Sequence, residues 1–177
     1  MSYFVVSVEP RGEEHFLTMA RRHLSADRAK FHWPRRKLTI RRRGKREESL
    51  VPLFPGYIFL ETDVVDEEIF RTVKRLPRFY RFLERNDRIR ALVGDDLQLV
   101  THFVRHGDVI GKSTVTFDEN SRIQVIDGPL AGLEGRIVKV DRRKQRAKVR
   151  LDLYQESFLV DFGFELLASS GSPPPER

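Results

Sequence analysis

His102 and His106 stand four residues apart on a predicted helix, a spacing that could offer two corners of a tetrahedral zinc site. The chain contains no Cys, and no third ligand falls near them in the sequence. They are therefore read as surface or core histidines, and no metal is expected. Gly128, Gly132 and Gly135 have the wrong spacing for a phosphate-cradling loop, and a strand rather than a helix is expected after them. No nucleophile elbow and no pair of carboxylates set for acid–base work appears. The expectation is a protein that is not an enzyme and takes no cofactor. What remains is the chemistry of cations.

Cations are plentiful and unevenly placed. The 177 residues carry a formal net charge of +7, with 33% charged and 40% hydrophobic residues. Residues 1–106 hold the whole +7, while residues 107–177 are neutral. Ten Lys/Arg and no acid lie in 28–46, with Phe31, His32 and Trp33 among them. Positive charge beside rings suits a single nucleic-acid strand, with cations on phosphates and rings on bases. Arg35, Arg36, Lys37, Arg41, Arg42 and Arg43 are the residues expected to meet such a strand. A second cluster spans 136–150, with eight basic residues against one acid, Asp141. There Arg136, Lys139, Arg142, Arg143, Lys144, Arg146 and Lys148 are expected to meet RNA, a structured RNA being the best candidate. No apolar run approaches the ~18 residues of a membrane span. No basic region precedes an apolar stretch at the start, so a cytoplasmic protein without a membrane partner is expected.

The elements that must position these cations follow from periodicity. Tyr3 to Val8 reads as a strand. Residues 12–24 place Phe16, Ala20 and Leu24 on one helical face. Residues 31–40 read as strand interrupted by Pro34, 41–48 as a charged loop, and 52–62 as a buried strand. Residues 66–76 form a helix with Ile69, Val73 and Leu76 inward, and acids in its first turn favour the dipole. A strand over 79–83 and a helix over 95–105 complete an α/β sandwich around a mostly antiparallel sheet. The pattern lapses over 107–120, read as a linker. Short strands fill 121–168, and 169–177 read as a disordered tail.

Two motifs sharpen this α+β reading. Asp127-Gly128-Pro129 is a turn signal between alternating apolar runs, and Gly132 and Gly135 are expected to let two strands approach closely. The segment 120–151 resembles the KOW motif, an SH3-like barrel. Leu53-Phe54-Pro55-Gly56-Tyr57-Ile58-Phe59-Leu60 breaks the chain before a strand with rings on both sides, and it resembles the NusG N-terminal domain. Tyr3-Phe-Val-Val and 71–83 resemble that domain's first strand and its following helix and strand. Both modules occur in the family's order.

The resemblance implies a bacterial transcription elongation factor acting on RNA polymerase. Its first domain, 1–106, would grip the polymerase clamp through an open apolar notch at Phe54, Pro55 and Tyr57, with Phe70 and Val73 on the next helix. Non-template DNA would pass nearby, against Arg35, Arg36, Lys37, Arg41, Arg42 and Arg43. The barrel, 121–168, would take nascent RNA or a protein, with Tyr154 as the aromatic contact. In the housekeeping pattern Gly follows that aromatic, and the partners there are Rho or ribosomal protein S10; here Tyr154-Gln155-Glu156 lacks the Gly. This favours a specialised antitermination paralogue of the LoaP or RfaH kind. The alternatives are a general NusG coupling polymerase to Rho or ribosomal protein S10, and a generic KOW RNA-binding or ribosomal protein. A monomer is expected.

Overall fold

The computed structural model describes residues 1–167; side chains of residues 41, 42, 84 and 85 are not among them. Residue 168 and the tail expected at 169–177 lie outside the described residues. The first module contains β1 (Ser2–Val8), α1 (Glu13–His23), β2 (Lys30–His32), β3 (Arg35–Arg42), β4 (Lys45–Pro52), β5 (Tyr57–Thr62), α2 (Glu67–Arg75), β6 (Phe79–Phe82), β7 (Glu84–Arg85), β8 (Arg88–Ile89) and α3 (Gly94–Val104). Then come β9 (Val109–Ile110), β10 (Ser113–Phe117), β11 (Ile123–Asp127), β12 (Ile137–Asp141), β13 (Arg146–Leu153) and β14 (Glu156–Leu166).

An antiparallel sheet in the order β2-β5-β1-β6 is the heart of the first module. Strand alternation sends Val6, Val8, Ile58 and Leu60 to one face, where they pack with Phe16 and Ala20 of α1 and Ile69 and Val73 of α2. The Asp66 carboxylate caps α2, accepting the Ile69 N–H at 2.8 Å; that bond, with Arg28 nearby, holds it below the usual carboxylate range. Val5 and Phe59 point to the opposite face, towards Leu99, Val100 and Phe103 of α3.

The second module is a five-stranded sheet in the order β11-β10-β14-β13-β12, antiparallel except where β10 meets β14. Gly128 is the glycine that permits close approach. Its φ is +101°, and a Cβ there would sit 2.7 Å from the Ser113 backbone. That role was expected of Gly132 and Gly135, but neither has anything within 4 Å of an added Cβ.

Residues 41–48, expected as a loop, are mostly strand. β3 and β4 form a long hairpin whose two-residue turn, Arg43-Gly44, has φ of +50° and +79°. Positive φ at both central residues suits a tight hairpin, because its twist matches that of the strands. The interval 107–120 carries β9 and β10, and β9 pairs in parallel with β3.

Candidate interaction site

The Phe54-Pro55-Gly56-Tyr57 turn is clamped from three sides. Leu53 N–H donates to the Pro34 carbonyl at 3.0 Å, and Tyr57 N–H to that of Phe54 at 3.1 Å. Gly56 N–H donates at 2.8 Å to the carboxylate of Glu13, which is 3% exposed in the first turn of α1. Gly56 has a φ of +80°, and a Cβ would press to 3.3 Å from the Val8 carbonyl. So Gly lets the chain reverse here, and Phe54 is aimed under the sheet.

The notch was expected to be open, and Phe54 is 2% exposed. Its ring stands edge-on to Phe59 at 5.6 Å and Phe103 at 6.3 Å, both within the first module. The third ring on it, at 5.3 Å, is Phe158 from β14. The second module therefore supplies the lid. Tyr57 also meets Phe158, at 6.0 Å, and donates its hydroxyl proton to the Glu156 carboxylate at 2.8 Å. Burial, reinforced by that carboxylate, pushes the Tyr57 hydroxyl up to about 12. Pro55 is exposed.

The same seam continues along α3. Phe103 stacks on Phe162 at 5.6 Å, with the rings 12° from parallel. Tyr154 N–H donates to Asp96 at 3.3 Å, and His102 Nε2 donates to the Pro129 carbonyl at 2.8 Å. Tyr154, expected to meet a protein partner, is thus half-buried in the docked seam. His102 does a structural job there. Burial, with His102 and Arg105 beside it, pulls the His106 imidazole below its usual value. Among the described residues no group of three or more His, Cys, Asp or Glu is placed to hold a metal ion.

Phe70 and Val73 are not part of this constellation. Val73 is fully buried on the α1/α2 face, and Phe70 stacks on Phe82 at 5.8 Å on that side. The sheet separates them from Phe54.

The basic segments divide. Phe31 and Trp33, expected to stack on bases, are 3% and 8% exposed and belong to the core, while the part-exposed His32 is held by the Glu61 carboxylate at 2.7 Å. The Arg35 guanidinium lies 4.4 Å above the Trp33 ring. Arg36 donates to the Pro52 carbonyl at 2.7 Å, while its Nε is buried without a partner among the described residues. Burial pulls the Arg36 guanidinium down to about 10; Asp161 opposes the shift and Arg146 adds to it. Lys37 and Arg43 are exposed, and the side chains of Arg41 and Arg42 lie outside the described residues.

On the second module, Lys139, Arg142, Arg143 and Lys144 are exposed. Arg142 lies 3.8 Å over the Phe117 ring. Lys148 pairs with Asp161 at 3.8 Å. Arg146 reaches back to the Thr39 carbonyl of the β3–β4 hairpin. Arg136 lies apart, beside Arg105 and His102 of α3.

Sequence reasoning missed Glu13, Asp108 and Phe158. Asp108 takes Arg21 at 2.8 Å and the Trp33 N–H at 3.1 Å, and its carbonyl takes the Arg35 N–H at 2.9 Å. These bonds fasten the start of the interval 107–120 to the hairpin. Phe158 alone carried a signal, since it is a ring in an alternating strand.

Residues 1–101 match the family model described as Transcription termination factor nusG, and residues 119–151 match the KOW motif. The transcription termination/antitermination protein NusG of Thermus thermophilus is 27% identical over 134 residues, 71% of each chain. That of Xylella fastidiosa is 24% identical over 140 residues, 74% of this chain and 76% of its own. The fold is similar to a solved structure of Thermotoga maritima NusG described for its domain interaction. The TM-score is 0.54 and the identity 19%, over 92% of this chain and 93% of that one.

Proposed function

The chain belongs to the NusG family of transcription factors, and on that premise we propose that it is an elongation factor whose two modules conceal each other until RNA polymerase is present. Its polymerase-binding residues are Phe54, Pro55 and Tyr57, and its barrel takes RNA or a protein. The supporting observation is the Phe158 ring seated on Phe54 and Tyr57. A patch of aromatic anchors rimmed by charge is the kind of surface that binds a protein, and a lid of similar rings keeps it from water meanwhile. Polymerase binding at this notch requires the barrel to leave, which frees Tyr154 and Phe158 at the same moment. Held on the clamp, the first module would disfavour the open, paused polymerase; a preference of ~1.4 kcal/mol changes that population tenfold.

The missing Gly after Tyr154 and the basic hairpin of the barrel support a specialised antitermination factor. A general factor that couples polymerase to Rho or ribosomal protein S10 is the second reading, supported by the aromatic at Tyr154. Pro55 is exposed at the rim and so offers the first foothold.

Polymerase pull-down with three forms of the chain tests the proposal. Phe158→Glu, which removes the lid, is expected to raise retention. Adding Phe54→Ala to it is expected to abolish the gain. Retention that ignores both substitutions overturns the assignment. Readthrough of a terminator template, raised by Phe158→Glu, supports antitermination; enhanced Rho-dependent release supports the general factor.

A further inference from the structure

The β3–β4 hairpin and the second module leave a cleft of about 720 Å³ between them. Its walls carry five cations: Arg46 from the hairpin, and Lys112, Arg143, Lys144 and Arg146 from the second module. No acid lines it. Leu38, Ile40 and Phe164 make an apolar floor. Gly163 belongs to the same wall, and a Cβ there would press on the Lys112 side chain at 3.1 Å. The hairpin backbone passes close by, with the Lys37 carbonyl 3.6 Å from that position. The two modules thus meet where one of them has no side chain.

The neighbouring acids neutralise part of this charge. Glu165 pairs with Lys112 at 3.3 Å, and Asp141 with Lys144 at 4.0 Å. Asp161 is taken by Lys148. Glu47 and Glu48 share the β4 strand with Arg46 but do not line the cleft. Arg46 and Arg143 make no ion pair among the described residues. Behind the wall stands Arg36, half-buried, its Nε without a partner among the described residues. Docking therefore brings Arg46 of the hairpin up to the cations of the second module, and that repulsion opposes the aromatic seam and the Arg146–Thr39 hydrogen bond that close the molecule.

We infer that this cleft, assembled only when the modules dock, is a binding site for the phosphodiester backbone of one nucleic-acid strand, and that the strand holds the molecule closed. A polyanion in the cleft removes the repulsion that docking creates, so it binds the closed form more tightly than the open one. By reciprocity, its binding shifts the modules towards docking. Three of the five cations are Arg, whose fork suits phosphate oxygens. The floor is sealed and offers no open aromatic face, so recognition is of backbone rather than base. The end of the first basic segment, at Arg46, and the tip of the second, at Arg143, Lys144 and Arg146, then belong to one site. The inference rests on the nucleic-acid part of the preceding reading: a strand that closes the molecule opposes polymerase binding at the notch by the same reciprocity, and its test needs no polymerase.

The test uses the full chain, which lacks cysteine, with fluorophores on Glu14→Cys and Asn120→Cys, both exposed and away from the cleft. It is titrated at several salt concentrations with a single-stranded RNA of roughly 12 nucleotides, its DNA equivalent, and polyglutamate. RNA, DNA or both are expected to bind and to increase the docked, short-distance population. A preference for one sugar identifies the source of the strand. Arg46→Gln and Lys144→Gln, on opposite walls, are each expected to reduce the log–log salt slope by about 1. Phe158→Glu touches no cleft residue yet separates the walls, and is expected to weaken binding about tenfold. Equal affinity in Phe158→Glu, labels that move apart on binding, or equally tight polyglutamate overturns the cleft. Unmodified chain that binds neither nucleic acid removes the RNA reading of the barrel as well. Circular dichroism of each variant shows that it is folded.

Discussion

On one face of the N-terminal sheet, Val6, Ile58 and Leu60 are sealed by Phe16 of α1 and Val73 of α2. On the other, Val5 and Phe59 lie beneath Phe54 and Phe103, and the last ring over Phe54 comes from β14. The first cover arrives on short connections within the same module. The second is closed by residues such as Tyr57 and Glu156, which are 99 apart. Both covers exclude water, but the last ring of the second comes from the other module. On the proposed reading a permanent core and an exchangeable lid sit back to back across one layer of strands, and function belongs to the side whose cover is not its own.

The sharpest way to break this comparison is to damage both sides equally. Phe16→Ala removes a fully buried ring from the permanent face and is expected to cost about 3–5 kcal/mol of global stability in denaturant unfolding. The distance between modules should not change until the protein unfolds. Phe158→Glu is expected to do the reverse. The docked fraction should fall at least about tenfold, read as interdomain distance. Amides of β1 and α1 should keep their hydrogen-exchange protection. If Phe158→Glu unfolded β1 and α1, the two faces would be one core.

A gentler probe uses pH. The Tyr57 hydroxyl is raised from 10.0 to about 12 in the docked molecule, first by burial and then by Glu156. A group that holds its proton more tightly when docked stabilises docking below 10. That contribution is lost as pH rises from 10 through about 12. Interdomain distance should therefore lengthen more in this window in the unmodified chain than in Tyr57→Phe, which keeps only the response of other groups such as Arg36, while the permanent face should not respond to Tyr57.

The smallest effect is expected at the hairpin joining β13 and β14. Tyr154 and Gln155 have φ of +50° and +65°, the left-handed region in which side chains are strained. Gln155→Gly is expected to raise stability by about 0.5–1 kcal/mol in thermal unfolding while leaving both covers intact. A larger gain in docking than in stability would mean that the turn is strained by its contact with α3.

Most of the scaffold was legible locally. The i, i+4 spacing of Phe16 and Ala20, the acids at the start of α2, and the alternation in Tyr57-Ile-Phe-Leu60 each report a face within one or two turns of chain. The Phe-Pro-Gly-Tyr break marked the right turn, because a glycine that tolerates positive φ and a proline that fixes its own are legible as residue types. Other features were not legible. The hairpin of β3 and β4 looked like a loop, since consecutive cations repel in an isolated segment. Pairing with each other, with β9, and at Arg146 through the Thr39 carbonyl makes those residues strand. Trp33 looked available for stacking, yet it is core.

The sequence by itself determined most of the elements outside the β3–β4 hairpin and the interval 107–120, the order of two modules, and the family to which they belong, because these depend on residue spacing within a few turns of chain. Only the tertiary structure decided that Phe54 is covered, that Phe70 and Val73 face away from it, and that two separate basic runs share one cleft. Burial and electrostatic potential are sums over everything nearby in space. Here the decisive neighbours, Phe158 for the notch and Arg46 for the barrel cations, stand about a hundred residues in sequence from the residues they lie beside.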